Sequence, residues 1–292
     1  MTTSKPHTGW YLLCFDSELS GELTPYALGD RRLVVVRDGA SVRVFDAICP
    51  HRGADLGYGG VYCGDAILCP FHGKRIALGA GDRRWSVAEH RVIRSGEAIF
   101  VRLGDDDRGF SSAVPSVTAN RPLHAALTVE IAVDPEWVVE NAFDTEHFPT
   151  VHGVPRISGM AVRTGAGGEL SVEATFHTLG GPTWQRRVAD TRFHATAFSP
   201  TVVATEIGAP GSEHVVITTT TPRPGGCVAR VAIGVRDDQL AILDMLIAGS
   251  KTAFQQDIPI WEHLDPRAPQ NYDGGDEAVV AFRRFVAEFG EA

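Results

Sequence analysis

Four residues constrain this chain more than any others: Cys49-Pro50-His51 and, after 17 intervening residues, Cys69-Pro70-Phe71-His72, the pattern CxHx17CxxH. Two soft thiolates and two imidazoles suit either a zinc ion or an iron–sulfur centre in which histidines replace two cysteines on one iron. Ligand chemistry alone leaves both open. Cys14, Cys63 and Cys227 fall outside the pattern and read as small core residues. Five cysteines in 292 residues are too few, and odd in number, for a disulfide framework, so reduced thiols are available as ligands.

Around the four ligands, residues 9 to about 103 are short β-branched runs with turn punctuation: LVVV at 33–36, the turn RDGA, VRVFD at 42–46, and VIRSGEAIFVRL about Ser95-Gly96. This predicts a small all-β domain. The polar stretch GDDDRGFSSAVPSVTANRP at 104–122 has the composition of a linker or long surface loop. It places a boundary near 115 and divides the chain into 1–115 and 116–292. The second part opens on the alternating run LHAALTVEIAVD, then on a helix start at Asp134-Pro135-Glu136, an N-cap followed by proline. Strands are expected between 158 and 235, with turns at Gly180-Gly181-Pro182 and Pro222-Arg223-Pro224-Gly225-Gly226, and helices at about 238–258 and 275–289. That order implies an α+β domain with helices on an antiparallel sheet.

CPHRGADL and CPFHGK, where glycine follows each histidine by one or two residues, resemble the two cluster-binding loops of Rieske proteins. The resemblance covers residues 9 to about 103 and implies a Rieske 2Fe-2S cluster on Cys49, His51, Cys69 and His72. Respiratory members carry an extra cysteine in each loop. Ala54 and Phe71 stand there instead, so the resemblance is to the oxygenase and ferredoxin branch. Lys74 is a departure, because oxygenases commonly carry an aromatic after the HG pair.

Residues 140–152, ENAFDTEHFPTVH, resemble the DxxHxxxxH signature of Rieske oxygenase catalytic domains. On an unbroken helix, residues five apart point about 140° away from each other. His147 and His152 can therefore share an ion only if the helix breaks, and Pro149 is expected to break it. Two imidazoles and one carboxylate on one face of Fe(II) leave positions open for O2 and substrate, which calls for a third ligand. Asp257, in FQQDIPIWEH, lies beside the apolar face formed by Phe254, Ile258 and Trp261, where a carboxylate is costly unless it is paired or metal-bound. Glu262 and Asp244 are weaker substitutes, and Pro259 is expected to distort the helix. The segment also resembles the ligand-bearing helix of the steroid-ring hydroxylase and cholesterol desaturase branch. Asp144 precedes His147 by three residues and shares its helix face. In the family the matching aspartate bridges a Rieske histidine of a neighbouring subunit to a histidine of the catalytic iron. Asn141 is a candidate hydrogen-bonding neighbour of the iron, and the remaining histidines, His214 among them, read as ordinary.

The resemblance thus implies an α+β fold: an all-β Rieske domain, then a helix-grip domain with an antiparallel sheet and a long helix. It implies a terminal oxygenase that hydroxylates, desaturates, demethylates or cyclises a small organic substrate. No GxGxxG follows a strand, so NAD(P)H must act through a separate reductase, and a ferredoxin is a further expected partner. A Rieske electron carrier fused to a small-molecule-binding domain without catalytic iron is the alternative. The net charge of -9 argues against nucleic acid and suits a basic electron-transfer partner. No apolar run approaches the ~18 to 20 residues of a membrane helix and the first ten residues carry no apolar leader core, so a cytoplasmic protein without membrane insertion is expected. A homotrimer is implied by the family alone.

Overall fold

The computed structural model describes residues 5–79, 84–180 and 187–292. Strand β1 (Gly9–Phe15) is buried along its whole length, which is why GWYLLCF is continuously apolar rather than alternating. Tyr11 and Leu13 enter the core of the N-terminal domain with Leu33, Val44 and Val101, while Trp10 and Leu12 face a second core shared with the rest of the chain. The domain continues through β2 (Leu23–Leu28), β3 (Arg31–Asp38), β4 (Ser41–Asp46), β5 (Val61–Tyr62), β6 (Ala66–Leu68), β7 (Arg75–Leu78), β8 (Ser86–Val87), β9 (Glu89–Ser95) and β10 (Ala98–Leu103). One sheet runs β1-β10-β9-β4-β3-β2 and a smaller one β5-β6-β7-β8. The β9–β10 turn needs its glycine: Gly96 has φ +55, and a side chain there would collide with the backbone of Leu123.

The stretch expected as a linker is helix α1 (Phe110–Thr118), and the expected boundary near 115 falls inside it. Phe110 and Val114, four apart and so on one face, enter the shared core, where Phe110 stacks on Trp10 at 4.7 Å between centroids. The polar residues that gave the stretch its loop-like composition tie it down instead: Asp107 accepts a 2.8 Å bond from Trp10 Nε1 and another from Ser111. Truncating a side chain as large and enclosed as Trp10 costs about 3–5 kcal/mol, so this joint is part of the fold.

The second domain comprises β11 (Leu123–Ile131), α2 (Pro135–Glu140), α3 (His147–Val151), β12 (Arg156–Thr164), β13 (Leu170–Gly180), β14 (Arg187–Ser199), β15 (Val202–Gly208), β16 (His214–Arg223), β17 (Gly226–Gly234), α4 (Leu243–Trp261) and α5 (Glu277–Val286). Its seven strands form one antiparallel sheet, β11-β17-β16-β15-β14-β13-β12, a meander whose first strand closes against the last. The expected turn at 222–226 joins β16 to β17, whereas Gly181 and Pro182 of the other expected turn lie outside the described residues. Both faces of the sheet are used. Val215 and Ile217 of β16 press on the shared core, and Val216 and Thr218 face the opposite side, where α4 lies with Phe254 and Trp261 inward. Helix α4 continues through Pro259 to Trp261, so the proline, which removes one backbone donor, stands two residues before the helix end. No helix among the described residues is long and apolar enough to cross a membrane.

Candidate metal centres

The two cysteine–histidine loops are built alike. Cys49 N–H donates to Ala54 O at 2.8 Å and Gly53 N–H to Cys49 O at 3.0 Å; Cys69 N–H donates to Lys74 O at 2.8 Å and Gly73 N–H to Cys69 O at 2.9 Å. Gly53 and Gly73 occupy the same left-handed position, φ +75 and +64, which explains a glycine in each loop although neither site is crowded. The second loop is the turn between β6 and β7, so the strand pair fixes its register. Cys49 and Cys69 are 2% and 3% exposed and their thiols lie against each other. The histidines meet at the rim, with ring centroids 4.6 Å apart.

Two observations test these loops against an iron–sulfur cluster. His51 Nδ1 is buried and has no hydrogen-bond partner among the described residues, a vacancy costly to a polar atom unless a ligand fills it. The donors also sort into a thiol pair and an imidazole pair, as a two-iron centre requires. Burial raises the Cys49 thiol, as does Cys69 opposite, while the backbone amides of His51 and Arg52 work to lower it. Amides aimed at sulfur are what a thiolate ligand requires. Of the remaining cysteines, Cys14 and Cys227 are buried as expected, but Cys63 is exposed, because it begins the turn between β5 and β6.

The second group does gather about one point. Donor atoms of His147, His152 and Asp257 all lie within 4.8 Å of one another. His147 Nε2 stands 3.1 Å from His152 Nε2, and Asp257 Oδ1 is 3.4 Å from the latter. The helix does not break between the histidines at Pro149, as the spacing suggested. Helix α3 is only as long as the interval, with His147 at its start, Pro149 in its first turn, where the missing N–H costs nothing, and His152 as its cap.

Hydrogen bonding sets which nitrogen each ring presents. The backbone carbonyl of Asp144 accepts from His147 Nδ1, and Gln256 Oε1 accepts from His152 Nδ1 at 2.9 Å. Both Nε2 atoms are then left with lone pairs facing each other beside a buried carboxylate. Such an arrangement suits a metal cation. Burial lowers the pKa of His147, against the pull of Asp144 and Asp257; burial also opposes protonation of His152, but Asp257 and Gln256 outweigh it and lift His152 above its ordinary value. The donor set fits a mononuclear iron.

Asn141, just past α2, places Nδ2 3.1 Å from His147 Nε2. Asp144 reaches His147 by a different route from the expected shared helix face. Helix α2 ends at Glu140, and Asp144 Oδ1 accepts from the N–H groups of Glu146 and His147, at 3.1 and 3.3 Å, capping α3. Its other oxygen lies 3.8 Å from His147 Nδ1. The alternatives Asp244 and Glu262 are not in the group.

A cavity of about 350 Å³ opens from these ligands between α4 and the sheet. Its wall includes Val203, Ile207, Val216 and Phe254, with Thr205, Thr218 and His214 as scattered polar points. From Asp257 to Leu246 it follows α4 over a rise of eleven residue steps, about 16 Å at 1.5 Å each. Sequence reasoning missed two residues here. Gln256 is next to a ligand in the chain, but only the partner across the fold reveals its role. His214 could be found only through the strand register that puts 214, 216 and 218 on the cavity face.

Paired Cys–His loops in a β domain, joined to a sheet-and-helix domain with a two-histidine, one-carboxylate group over a cavity, define a Rieske oxygenase. The chain belongs to the family of the 3-ketosteroid 9alpha-hydroxylase C-terminal domain, which matches residues 113–289, preceded by a Rieske [2Fe-2S] domain match over residues 9–95. It is 24% identical to the oxygenase component of 3-ketosteroid-9-alpha-monooxygenase from Rhodococcus rhodochrous, over 90% of this chain and 75% of that one. Cholesterol 7-desaturase nvd of Drosophila melanogaster is 42% identical over 66 residues, and the match covers 22% of this chain but only 15% of the length of that relative. Among solved structures, dicamba monooxygenase bound to 3,6-dichlorosalicylic acid shares the fold at a TM-score of 0.73, with 16% identity and 98% of each chain covered.

Proposed function

We propose that this chain is the terminal oxygenase component of a multicomponent system, taking electrons at Cys49, His51, Cys69 and His72 and oxidising a small, largely apolar substrate beside His147, His152 and Asp257. The observation that carries this reading is the convergence of two imidazole nitrogens and a carboxylate oxygen on one point at the wall of an apolar cavity. Bound iron supplies the one-electron transfer and O2 activation that no side chain here can perform. The side chains do the rest. The Asp144 carbonyl and Gln256 hold each imidazole with Nε2 inward, Asp257 supplies the carboxylate from α4, and the apolar wall excludes water and aligns substrate.

Asp144 touches His147 while its side chain remains 34% exposed, so a second molecule can reach it. We read it as the link from His72 of the partner subunit in a head-to-tail homotrimer. A separate reductase, drawing on NAD(P)H and with or without a ferredoxin, supplies the electrons; the name of the Rhodococcus relative, an oxygenase component, supports this division. The relatives named as a steroid monooxygenase and a cholesterol desaturase, with the long apolar cavity, favour a polycyclic substrate of low polarity. Hydroxylation is the outcome proposed first, and desaturation, demethylation and cyclisation draw on the same site.

Iron and acid-labile sulfide per chain, measured on anaerobically purified protein with an EPR spectrum of the dithionite-reduced sample, test the proposal. About three irons and two sulfides with a Rieske-type signal are expected. Two irons with that signal, persisting after Fe(II) reconstitution, would leave an electron carrier fused to a binding domain; colourless protein without sulfide would return the loops to zinc.

A further inference from the structure

Lys74 stands where the family commonly carries an aromatic, and an aromatic from another part of the chain packs against it. Trp85 meets the His51 ring edge-on at 5.4 Å between centroids. Lys74 Nζ lies 4.8 Å from the centre of the Trp85 ring, and the Arg84 guanidinium carbon 5.2 Å from it. The other histidine repeats the arrangement: Phe71 lies 3.8 Å from His72, and Arg52 stands 5.7 Å from the Phe71 ring. Each imidazole is backed by an aromatic ring, with two cations over Trp85 and one over Phe71.

None of these three cations forms an ion pair within 4.0 Å among the described residues, whereas Arg43 elsewhere on the same domain is held by Glu89 at 2.8 Å. In a chain of net charge -9, positive charge beside His51 and His72 that no described carboxylate pairs is a local reversal. Lys74, Arg52 and Arg84 all bear on His51 electrostatically.

We propose that Lys74, with Arg84 and Arg52, forms a cationic collar that raises the reduction potential of the cluster held by Cys49, His51, Cys69 and His72, Lys74 being the principal tuning residue. The inference rests on the reading of those four residues as cluster ligands. Reduction moves one electron from an external donor, the reductase in turnover or dithionite in the test, onto the iron centre, with no bond made or broken. The centre gains one negative charge, and positive charges held on the rings that back its ligand histidines stabilise the reduced form over the oxidised one. Net charge and exposure around the cluster are among the properties that set its potential. The aromatic rings keep the cations close without letting them compete for the ligand nitrogens.

An anaerobic redox titration of the purified, cluster-loaded protein, followed by EPR, tests the collar. Lys74→Gln should lower the equilibrium constant for reduction several-fold, up to about tenfold, which is 59 mV for one electron. Lys74→Arg should leave it unchanged. The gap between the natural protein and Lys74→Gln should narrow as salt is raised, since screening shortens to about 3 Å at 1 M. A purely structural role would change iron and sulfide content instead, leaving the potential of the assembled fraction where it was. An unchanged potential in Lys74→Gln at low salt overturns the proposal. Should that variant fail to assemble a cluster, Arg52→Gln and Arg84→Gln carry the test, and unchanged potentials in both overturn it. Natural protein with no Rieske signal at all would remove the cluster reading and the collar with it.

Discussion

The two metal centres are assembled in opposite ways. The first comes from two loops within 24 consecutive residues, each closed by the same pair of backbone hydrogen bonds and the same left-handed glycine. The second draws His147 and His152 from the two ends of a five-residue helix and Asp257 from a helix 105 residues further along the chain than His152. A local site needs only its own turns to be right, whereas the second needs the sheet, α3 and α4 all in place. The difference also shows in the surroundings. The loops sit at a rim with His72 exposed and cations nearby, while the His–His–Asp group stands at a cavity whose wall is chiefly apolar.

Substitutions that separate the two centres should have the largest effects. Asp257→Ala should lower iron from about three to about two per chain, keep the Rieske-type EPR signal and abolish product formation, whereas Cys69→Ser should remove the signal and the sulfide. Loss of the Rieske signal in Asp257→Ala would mean that the centres do not assemble independently. Asp144→Asn comes next. Asparagine keeps an oxygen to cap α3 but not the charge beside His147, so both metals should remain while turnover coupled to reductase falls by about two orders of magnitude or more, the scale of losing a positioned group at a reacting centre. Undiminished coupled turnover would remove Asp144 from the path between subunits. Gln256→Leu should be milder. Without an acceptor for Nδ1, His152 loses its fixed tautomer, and Fe(II) affinity should fall about 10- to 100-fold in equilibrium dialysis, with cluster content unchanged.

The same contrast explains what the sequence revealed. Cys49, His51, Cys69 and His72 were legible because their spacing, prolines and glycines are written contiguously. His147 and His152 were legible from the likeness of ENAFDTEHFPTVH to the DxxHxxxxH signature, and Asp257 because a carboxylate among Phe254, Ile258 and Trp261 needs a reason to be there. Less visible was how they meet. Pro149 read as a break because sequence does not show where a helix begins, and in its first turn a proline is harmless. Segment 104–122 read as a linker because composition weighs Asp105, Asp106 and Asp107 equally with Phe110 and Val114, which decide its fate by entering the shared core. The N-terminal strands were plain from their turns. The inward and outward residues of β15 and β16 were not, because one step of register exchanges the two faces.

His214 is where that missing register matters most, and it gives the smallest and most specific effect. It sits opposite Ile207 across the β15–β16 pair and lines the cavity. Burial lowers its pKa, with Arg121 adding to the effect, so near pH 7 the imidazole is neutral and can donate one hydrogen bond and accept another. In a wall that Val203, Val216 and Phe254 help to make chiefly apolar, such a group gives an apolar ligand a fixed polar end. A ring ketone should therefore bind the natural protein more tightly than the same molecule with a methylene in place of the carbonyl, by up to about tenfold for one neutral hydrogen bond. In His214→Leu the ketone should lose that advantage while the methylene analogue binds as well as before or slightly better, since leucine adds apolar wall. A preference that survives His214→Leu would assign ketone recognition to Thr205 or Thr218, closer in the sheet to the rows where Val203 and Val216 lie.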